Sequence, residues 1–190
     1  MADLGHHDCI FEKKDISEEL IPGISFDSCT FRDCDLAGCD LSCIEFSECL
    51  FENCNLSNII LGDTGLKVAC FKNCKLTGTD FSGCRDILFE VSFEDCILDF
   101  CIFFRNNLRK TIFSACKIHE AGFSECDLRE ALFKDCDLLR TVFTQNDLTG
   151  ADFRTALNYT IDPESNRLRN SKFSYPGVLG LLDRYDIIIK

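Results

Sequence analysis

The chain has no long apolar run. No stretch of its 190 residues approaches the roughly 18 consecutive apolar positions that a membrane-spanning helix needs. Its first residues, Met1-Ala-Asp-Leu-Gly-His-His, have neither a basic start nor an apolar core, so they do not read as a secretory signal. Both absences predict a cytoplasmic protein with no membrane partner. Basic residues are also short: 20 Lys and Arg against 32 Asp and Glu, a net charge of −12. That balance excludes direct nucleic-acid binding through a broad basic face. Histidine is scarce, with His6, His7 and His119 alone. His6 and His7 lie near a terminus expected to fray, and His119 sits at an outward position. No Gly-rich phosphate loop, nucleophile elbow or metal motif is present, which predicts a non-enzymatic protein without a cofactor or metal.

What the chain does have is a period of five. From Phe93, every fifth residue is large and apolar: Leu98, Phe103, Leu108, Phe113, Ile118, Phe123, Leu128, Phe133, Leu138, Phe143, Leu148 and Phe153. The same step runs earlier in its own register, from Phe11 through Ile16, Ile21, Phe26, Phe31 and onward to Phe81. Five is neither the 3.6 of a helix nor the 2 of a strand, so the backbone must turn a corner every five residues. Four such sides close a square coil of twenty residues per turn, with stacked backbones about 4.8 Å apart. Phe11, Phe31, Phe51 and Phe71 then form one ladder. Phe93, Phe113, Phe133 and Phe153 form another, with Phe103, Phe123 and Phe143 on the opposite wall. Asp86 fails the step and Leu88 resumes it two residues late, which predicts a bulge over 82–87.

Fifteen cysteines suggest disulfides or zinc until their positions are read. Twelve stand two residues before a periodic residue, a slot that also takes Ala, Thr and Val. Reduced, buried thiols packing as small hydrophobes are expected there. Cys43, Cys70 and Cys84 leave the slot. Between inward positions the residues are short and polar, and Asn, Asp, Ser and Gly suit the corners.

Charge is uneven along the chain. Residues 1–62 hold thirteen acids and three bases, whereas the remainder is nearly neutral. Asp33, Asp35, Asp40, Glu45, Glu48 and Glu52 form a candidate acidic partner-binding face. The alternative reading of the same residues is a solvated surface tuned for solubility.

After Phe153 the five-step is lost. Residues 154–173 read as an irregular last turn with an excursion near Asp162-Pro163, closing a repeat domain over 1–173. Residues 174–190 read as a short helix and a β-prone tail, with Ser174 as a cap and Pro176 in the first turn. A repeat stack needs its last open face covered. This segment can do that alone, or it can also pair two copies through Val178, Leu181, Leu182, Ile187, Ile188 and Ile189.

The repeat resembles the pentapeptide-repeat family, whose pattern is A(D/N)LXX with Leu or Phe at the centre. Cys34-Asp35-Leu36-Ala37-Gly38, Cys54-Asn55-Leu56-Ser57-Asn58 and Ala151-Asp152-Phe153-Arg154-Thr155 match it. The resemblance covers roughly 7–157. It implies an all-β solenoid, the right-handed quadrilateral β-helix of that family, with a short C-terminal capping helix. One subgroup, of the bacterial quinolone-resistance type, binds DNA gyrase and topoisomerase IV as a dimeric rod resembling duplex DNA. Its chains end with an Asp-Pro turn, a strand, a short helix and an apolar tail, and 162–189 looks similar. The resemblance therefore implies a homodimer joined at the C-terminus, with gyrase or topoisomerase IV as alternative partners to an unspecified protein. Two features depart from the subgroup: 82–87 is the only internal break, and the acidity lies at the far tips of such a dimer.

Overall fold

A computed structural model describes residues 5–13, 20–185 and 187–188. The chain winds as a four-sided parallel β-solenoid of about seven turns. Residues twenty apart stack in register, as Phe11 on Phe31, Phe31 on Phe51 and Phe113 on Phe133. Across the break the offset is twenty-two, with Phe71 on Phe93.

The walls are named here by their inward residues. The first is a continuous ladder of rings from Phe11 to Phe173, with stacked centroids 4.7 to 5.5 Å apart. It carries a seven-stranded sheet, from Ile10–Glu12 through Thr30–Arg32, Leu50–Glu52, Ala69–Lys72, Val91–Glu94 and Ile112–Ser114 to Leu132–Lys134. The second wall holds Leu36, Leu56, Leu76, Leu98, Ile118 and Leu138. Isolated bridges such as Asp35 to Asn55 and Lys117 to Asp137 link its turns. The third wall holds Leu41, Leu61, Phe81, Phe103, Phe123 and Phe143, and the fourth holds Phe26, Phe46, Leu66, Leu108, Leu128 and Leu148. All these residues are buried.

Strands follow the rings. Among the described residues twelve of the fourteen strands centre on Phe, the exceptions being His6 and Leu66, which fits the preference of aromatic side chains for flat pleated backbone. The second ring ladder changes walls at the break. Before it, Phe26 and Phe46 occupy the fourth wall, in the sheet Gly5–His7, Ser25–Asp27, Glu45–Ser47 and Gly65–Lys67. After it, Phe103, Phe123 and Phe143 occupy the third, in the sheet Ile102–Phe104, Gly122–Ser124 and Val142–Thr144. In both halves the second ladder meets the first edge to face, as Phe26 with Phe31 at 5.2 Å and Phe123 with Phe133 at 6.0 Å.

Two inward assignments made from the period do not hold as read. Leu88 is 69% exposed with a φ of 59°, and Phe89 takes the interior place instead. The break begins with a 3-10 turn at Phe81–Gly83, where the Asp80 carboxylate accepts from the Ser82 N–H, and the extra length is absorbed before Phe89. Ile21 is 55% exposed, and Leu20 packs against the core in its place. Ile16 lies outside the described residues.

Most corners fall two residues after an inward residue, at positive φ. From Asp95 to Gly150 every fifth residue adopts it. The occupants extend beyond Asn, Asp, Ser and Gly to Val68, Phe100, Arg105, Lys110 and Arg140. Left-handed backbone costs such residues about 1–2 kcal/mol each. Hydrogen bonds between turns offset it, as Asp95 N to Ser114 O at 2.9 Å and Phe100 N to His119 O at 2.9 Å.

The slot before each inward residue contains a backbone carbonyl from the previous turn. Every cysteine is a free thiol. On the second wall, Cys34, Cys54, Cys74, Cys96, Cys116 and Cys136 form one unbroken column. Each donates from Sγ to a first-wall Phe carbonyl at 3.3 to 3.5 Å. Thr64 and Thr79 make the same bond to Leu41 O and Leu56 O. So do Asn106, Asn146 and Asn166, to Phe81, Phe123 and Phe143. Cys, Thr and Asn in the slot meet this carbonyl with a donor, whereas Ala69, Ala121, Ala131 and Ala151 fill the same slot without one. Burial pushes the Cys49, Cys84 and Cys101 thiols up to about 12.

Candidate interaction surfaces

With the interior filled by the ladders, chemistry is left to the outward residues. On each strand these are the two that flank the inward one. On the first wall one outward row runs Ile10, Thr30, Leu50, Cys70, Ser92, Ile112, Leu132. The other alternates in charge over Glu12, Arg32, Glu52, Lys72 and Glu94. Parallel in-register stacking would place like charges about 4.8 Å apart, and the alternation converts that into ion pairs. Arg32 Nε lies 2.8 Å from Glu52 Oε2, and Lys72 Nζ lies 3.5 Å from Glu94.

The six acids of the candidate partner-binding face are distributed over all four walls. Asp35 stands on the second wall, Asp40 on the third, Glu45 on the fourth and Glu52 on the first, with Asp33 and Glu48 at corners. Glu52 is paired with Arg32, and Glu45 with both Lys67 and Arg85. Asp35 and Asp40 each accept from a backbone N–H two residues on, at Ala37 and Ser42. Asp33 accepts from Asn53 Nδ2 at 3.1 Å.

The third wall after the break differs from the others. Its outward residues are Ile102, Phe104, Gly122, Ser124, Val142 and Thr144, none of them charged. Ile102, Phe104 and Val142 are exposed, and Gly122 leaves open space between Ile102 and Val142. Phe100 and Ile97, exposed on the approach to this wall in the same turn, extend the apolar area around one corner. Ion pairs border it on both sides: Arg105 with Glu125 at 2.8 Å and Arg140 with Glu120 at 3.4 Å. The Arg105 guanidinium also covers the Phe104 ring at 4.7 Å. This is an uncharged, nearly flat strip with a polar rim, the anatomy of a protein-binding patch. It was readable in the sequence as two outward columns twenty residues apart, but the five-step draws attention inward.

At the C-terminal end the expected helix is two short 3-10 turns, Gly177–Leu181 and Asp183–Tyr185. Pro176 holds the capping place, and Ser174 Oγ accepts from Gly177 N at 3.2 Å. The close approach explains the tight winding. A side chain at Gly180 would collide with the Tyr159 backbone carbonyl, and one at Gly177 with the Tyr159 hydroxyl. Leu181 packs against the core, Leu182 is half-buried, and Val178 is exposed. Tyr175, Leu179, Tyr185, Ile187 and Ile188 are also exposed, and Ile189 lies outside the described residues.

The histidines are engaged in packing and pairing. His6 is not frayed: it lies in the first strand, stacked on Phe26 at 5.1 Å. His119 Nε2 lies 2.9 Å from Asp137 Oδ2, and Asn158 donates to the same carboxylate at 2.8 Å. Among the described residues no group of three or more His, Cys, Asp or Glu is arranged to hold a metal ion. No helix among them is long and apolar enough to cross a membrane.

The pattern of slot, inward residue and corner matches a family model described as a pentapeptide repeat region, over 24–85 and 86–160. The chain belongs to the pentapeptide-repeat family. No curated protein matches the chain. Among solved structures it is similar to full-length QnrB1, a plasmid-mediated fluoroquinolone resistance protein. Identity is 20%, TM-score 0.53, and the match covers 96% of this chain and 100% of that one. It also matches HetL, a pentapeptide-repeat protein involved in heterocyst differentiation regulation from the cyanobacterium Nostoc sp. There identity is 15% and TM-score 0.32, over 91% of this chain and 90% of that one. At these identities the likeness to QnrB1 speaks to the shared pentapeptide-repeat fold alone.

Proposed function

We propose that this pentapeptide-repeat protein is a non-enzymatic cytoplasmic scaffold. It seats a protein partner on its third wall and pairs with a second copy through its C-terminal end. The observation that carries the reading is the uncharged strip of Ile102, Phe104, Gly122, Ser124, Val142 and Thr144 within an otherwise charge-laddered surface. Exposed aromatic and branched side chains inside a polar rim are the usual anchors of a protein interface. Pairing is supported by the exposed Tyr175, Val178, Leu179, Ile187 and Ile188 at the C-terminal end of the coil. Affinity capture from the native host with the wild-type chain and with the Ile102→Glu, Val142→Glu double variant tests the first part. A partner retained by both proteins equally would refute it.

A second reading, in which the rod mimics duplex DNA and binds gyrase or topoisomerase IV, is favoured by the acid content of 1–62. Asp33, Asp35, Asp40 and Glu48 would carry it, since Glu45 and Glu52 are already neutralised by bases of the same coil. Adding the protein to a gyrase supercoiling reaction, with and without a fluoroquinolone, decides it. Unchanged supercoiling and unchanged drug sensitivity at micromolar protein would exclude this partner.

A further inference from the structure

On three walls, the turn that holds Phe133, Leu138 and Leu148 is closed from below by a two-bond clasp. Asp152 gives its N–H to Ala131 O at 2.9 Å and accepts from Phe133 N at 3.0 Å. Leu157 does the same with Cys136 O and Leu138 N, at 2.8 and 2.9 Å, and Arg167 with Asn146 O and Leu148 N, at 3.0 and 2.9 Å. Each clasping residue grips the two groups that flank the outward residue twenty before it, the pattern of a parallel ladder. On the third wall the clasp is missing. The residue twenty after Val142 is Asp162, where the chain turns away before Pro163. Ile161 N bonds instead to Gly180 O at 3.1 Å, Asp162 O accepts from Asn166 Nδ2 at 3.1 Å, and Arg184 holds the Asp162 carboxylate. Among the described residues Thr141 O has no donor and Phe143 N–H has no acceptor, whereas Phe143 O is met by Asn166 Nδ2 at 2.9 Å. The two open groups border a groove of about 470 Å³ lined by Thr141, Val142, Phe143, Ile161, Asp183 and Arg184. An open strand edge of this kind is a template for a further strand.

We propose that this groove receives an extended segment of a partner protein, added parallel to Val142–Thr144 as the missing clasp. The inference rests on the third-wall reading above and names the part of the partner that docks. The incoming residue beneath Val142 would give its N–H to Thr141 O and accept from Phe143 N–H, the route of strand addition. Its side chain would extend the outward column of Ile102, Gly122 and Val142, which is uncharged, so an apolar β-branched residue suits the place. Charge at the rim sets what flanks it. Arg184 is neutralised by Asp162 and Glu164, and Arg140 by Glu120. Asp183 is exposed and has no ion pair among the described residues, which favours a basic residue beside the β-branched one.

The test is amide spectroscopy and hydrogen exchange on the full chain, titrated with the capped peptide acetyl-Lys-Thr-Val-Ile-Val-Thr-Lys-amide. The control is the same peptide N-methylated at both valines and the isoleucine, which keeps the side chains and removes the central donors. At millimolar peptide the Phe143 amide is expected to exchange at least about tenfold more slowly than in the free chain, with the Phe123 amide unchanged. The methylated peptide is expected to bind at least about tenfold more weakly, through loss of the bond to Thr141 O. Asp183→Lys should weaken the lysine peptide about threefold and favour a glutamate-flanked counterpart, and an unchanged preference overturns the basic flank. No change at Phe143 with either peptide overturns strand addition, while the third-wall reading stands or falls separately on capture with the Ile102 and Val142 variant. Shifts at Ile102 and Phe104 that both peptides cause equally, without protection at Phe143, overturn strand addition and support docking on the wall by side chains. A Phe143 amide as protected in the free chain as the Phe133 amide shows that the chain itself fills the groove, and overturns the vacancy.

Discussion

Arg85 Nη1 lies 2.8 Å from Glu45 Oε2, forty residues back in the chain and two turns up the coil, while Arg85 Nε lies 3.1 Å from Asp63 one turn up. The two-residue excess thus brings a base where it can clamp three turns together. Gly65 makes it possible: a Cβ there would collide with the Glu45 carboxylate.

Loss of this clamp has a measurable size. Arg85→Ala is expected to lower unfolding free energy by about 1–2 kcal/mol, since Glu45 is mostly buried and Arg85 only partly exposed. Gly65→Ala pushes the Glu45 carboxylate aside and should cost a similar amount. The two act through one contact, so the double variant should lose clearly less than the sum of the singles in urea titrations. Additive losses would show that Gly65 and Arg85 are independent.

Val68 is a β-branched residue at a φ of 56°. Its side chain is exposed, so packing gives little in return. Val68→Gly is expected to stabilise the protein by about 1 kcal/mol, against the usual entropic penalty of glycine. A shift of the urea midpoint to lower concentration would contradict the strain assigned to this corner.

The slot carbonyl separates two explanations of the cysteines. Cys116→Thr keeps a donor for Phe93 O, whereas Cys116→Val keeps the volume and removes the donor. The ladder pairing with Phe113 still engages this carbonyl, so losing the second hydrogen bond costs about 0.5–1.5 kcal/mol, and Val should be the more destabilising by that margin. Equal stabilities would return the slot to a purely apolar one.

Alkaline stability follows from the buried thiols. Burial raises Cys49, Cys84 and Cys101 to about 12 and Cys126 to about 11 from an ordinary value of 9.0. In the unfolded chain these groups ionise near 9, so the folded state binds more protons and stability falls as pH rises from about 9 toward 12. At pH 10 each contributes a loss of about 1.4 kcal/mol, and the four together about 5–6 kcal/mol. Urea midpoints measured from pH 7 to 10 should fall steeply above pH 9. At pH 8 a thiol reagent should react quickly with the exposed Cys43 and far more slowly with the buried column.

Much of the fold was legible in the chain because one physical constraint, a ring or branched aliphatic every fifth residue, recurs at each side of the coil. Phe93 to Phe153 reads directly into thirteen buried residues. Leu88 misled because both Leu88 and Phe89 are apolar, and spacing alone does not say which one turns inward after an irregular corner. The asparagines Asn106, Asn146 and Asn166 were hidden for another reason: a buried amide looks wrong in an apolar slot until the carbonyl it meets is seen. The surfaces were least legible. The uncharged columns of Ile102 and Phe104 recur every twenty residues after the break and could be counted, but the five-step marks only inward residues, so nothing in it singles out an outward row. The acids of 33–52, close in sequence, separate onto four walls because each five-residue step carries the chain to the next side.

The central claim is that the third wall after the break is where a partner protein sits. Quantitative affinity capture from the native host measures it most directly, comparing the wild type with Ile102→Glu, Val142→Glu and with a control pair on the first wall, Ile112→Glu, Leu132→Glu. These outward residues lie on one sheet row each, so all three proteins should fold. The account predicts that a partner retained by the wild type and the first-wall control falls at least about tenfold with the third-wall variant, as for loss of interface anchors. Equal recovery with all three proteins would contradict it.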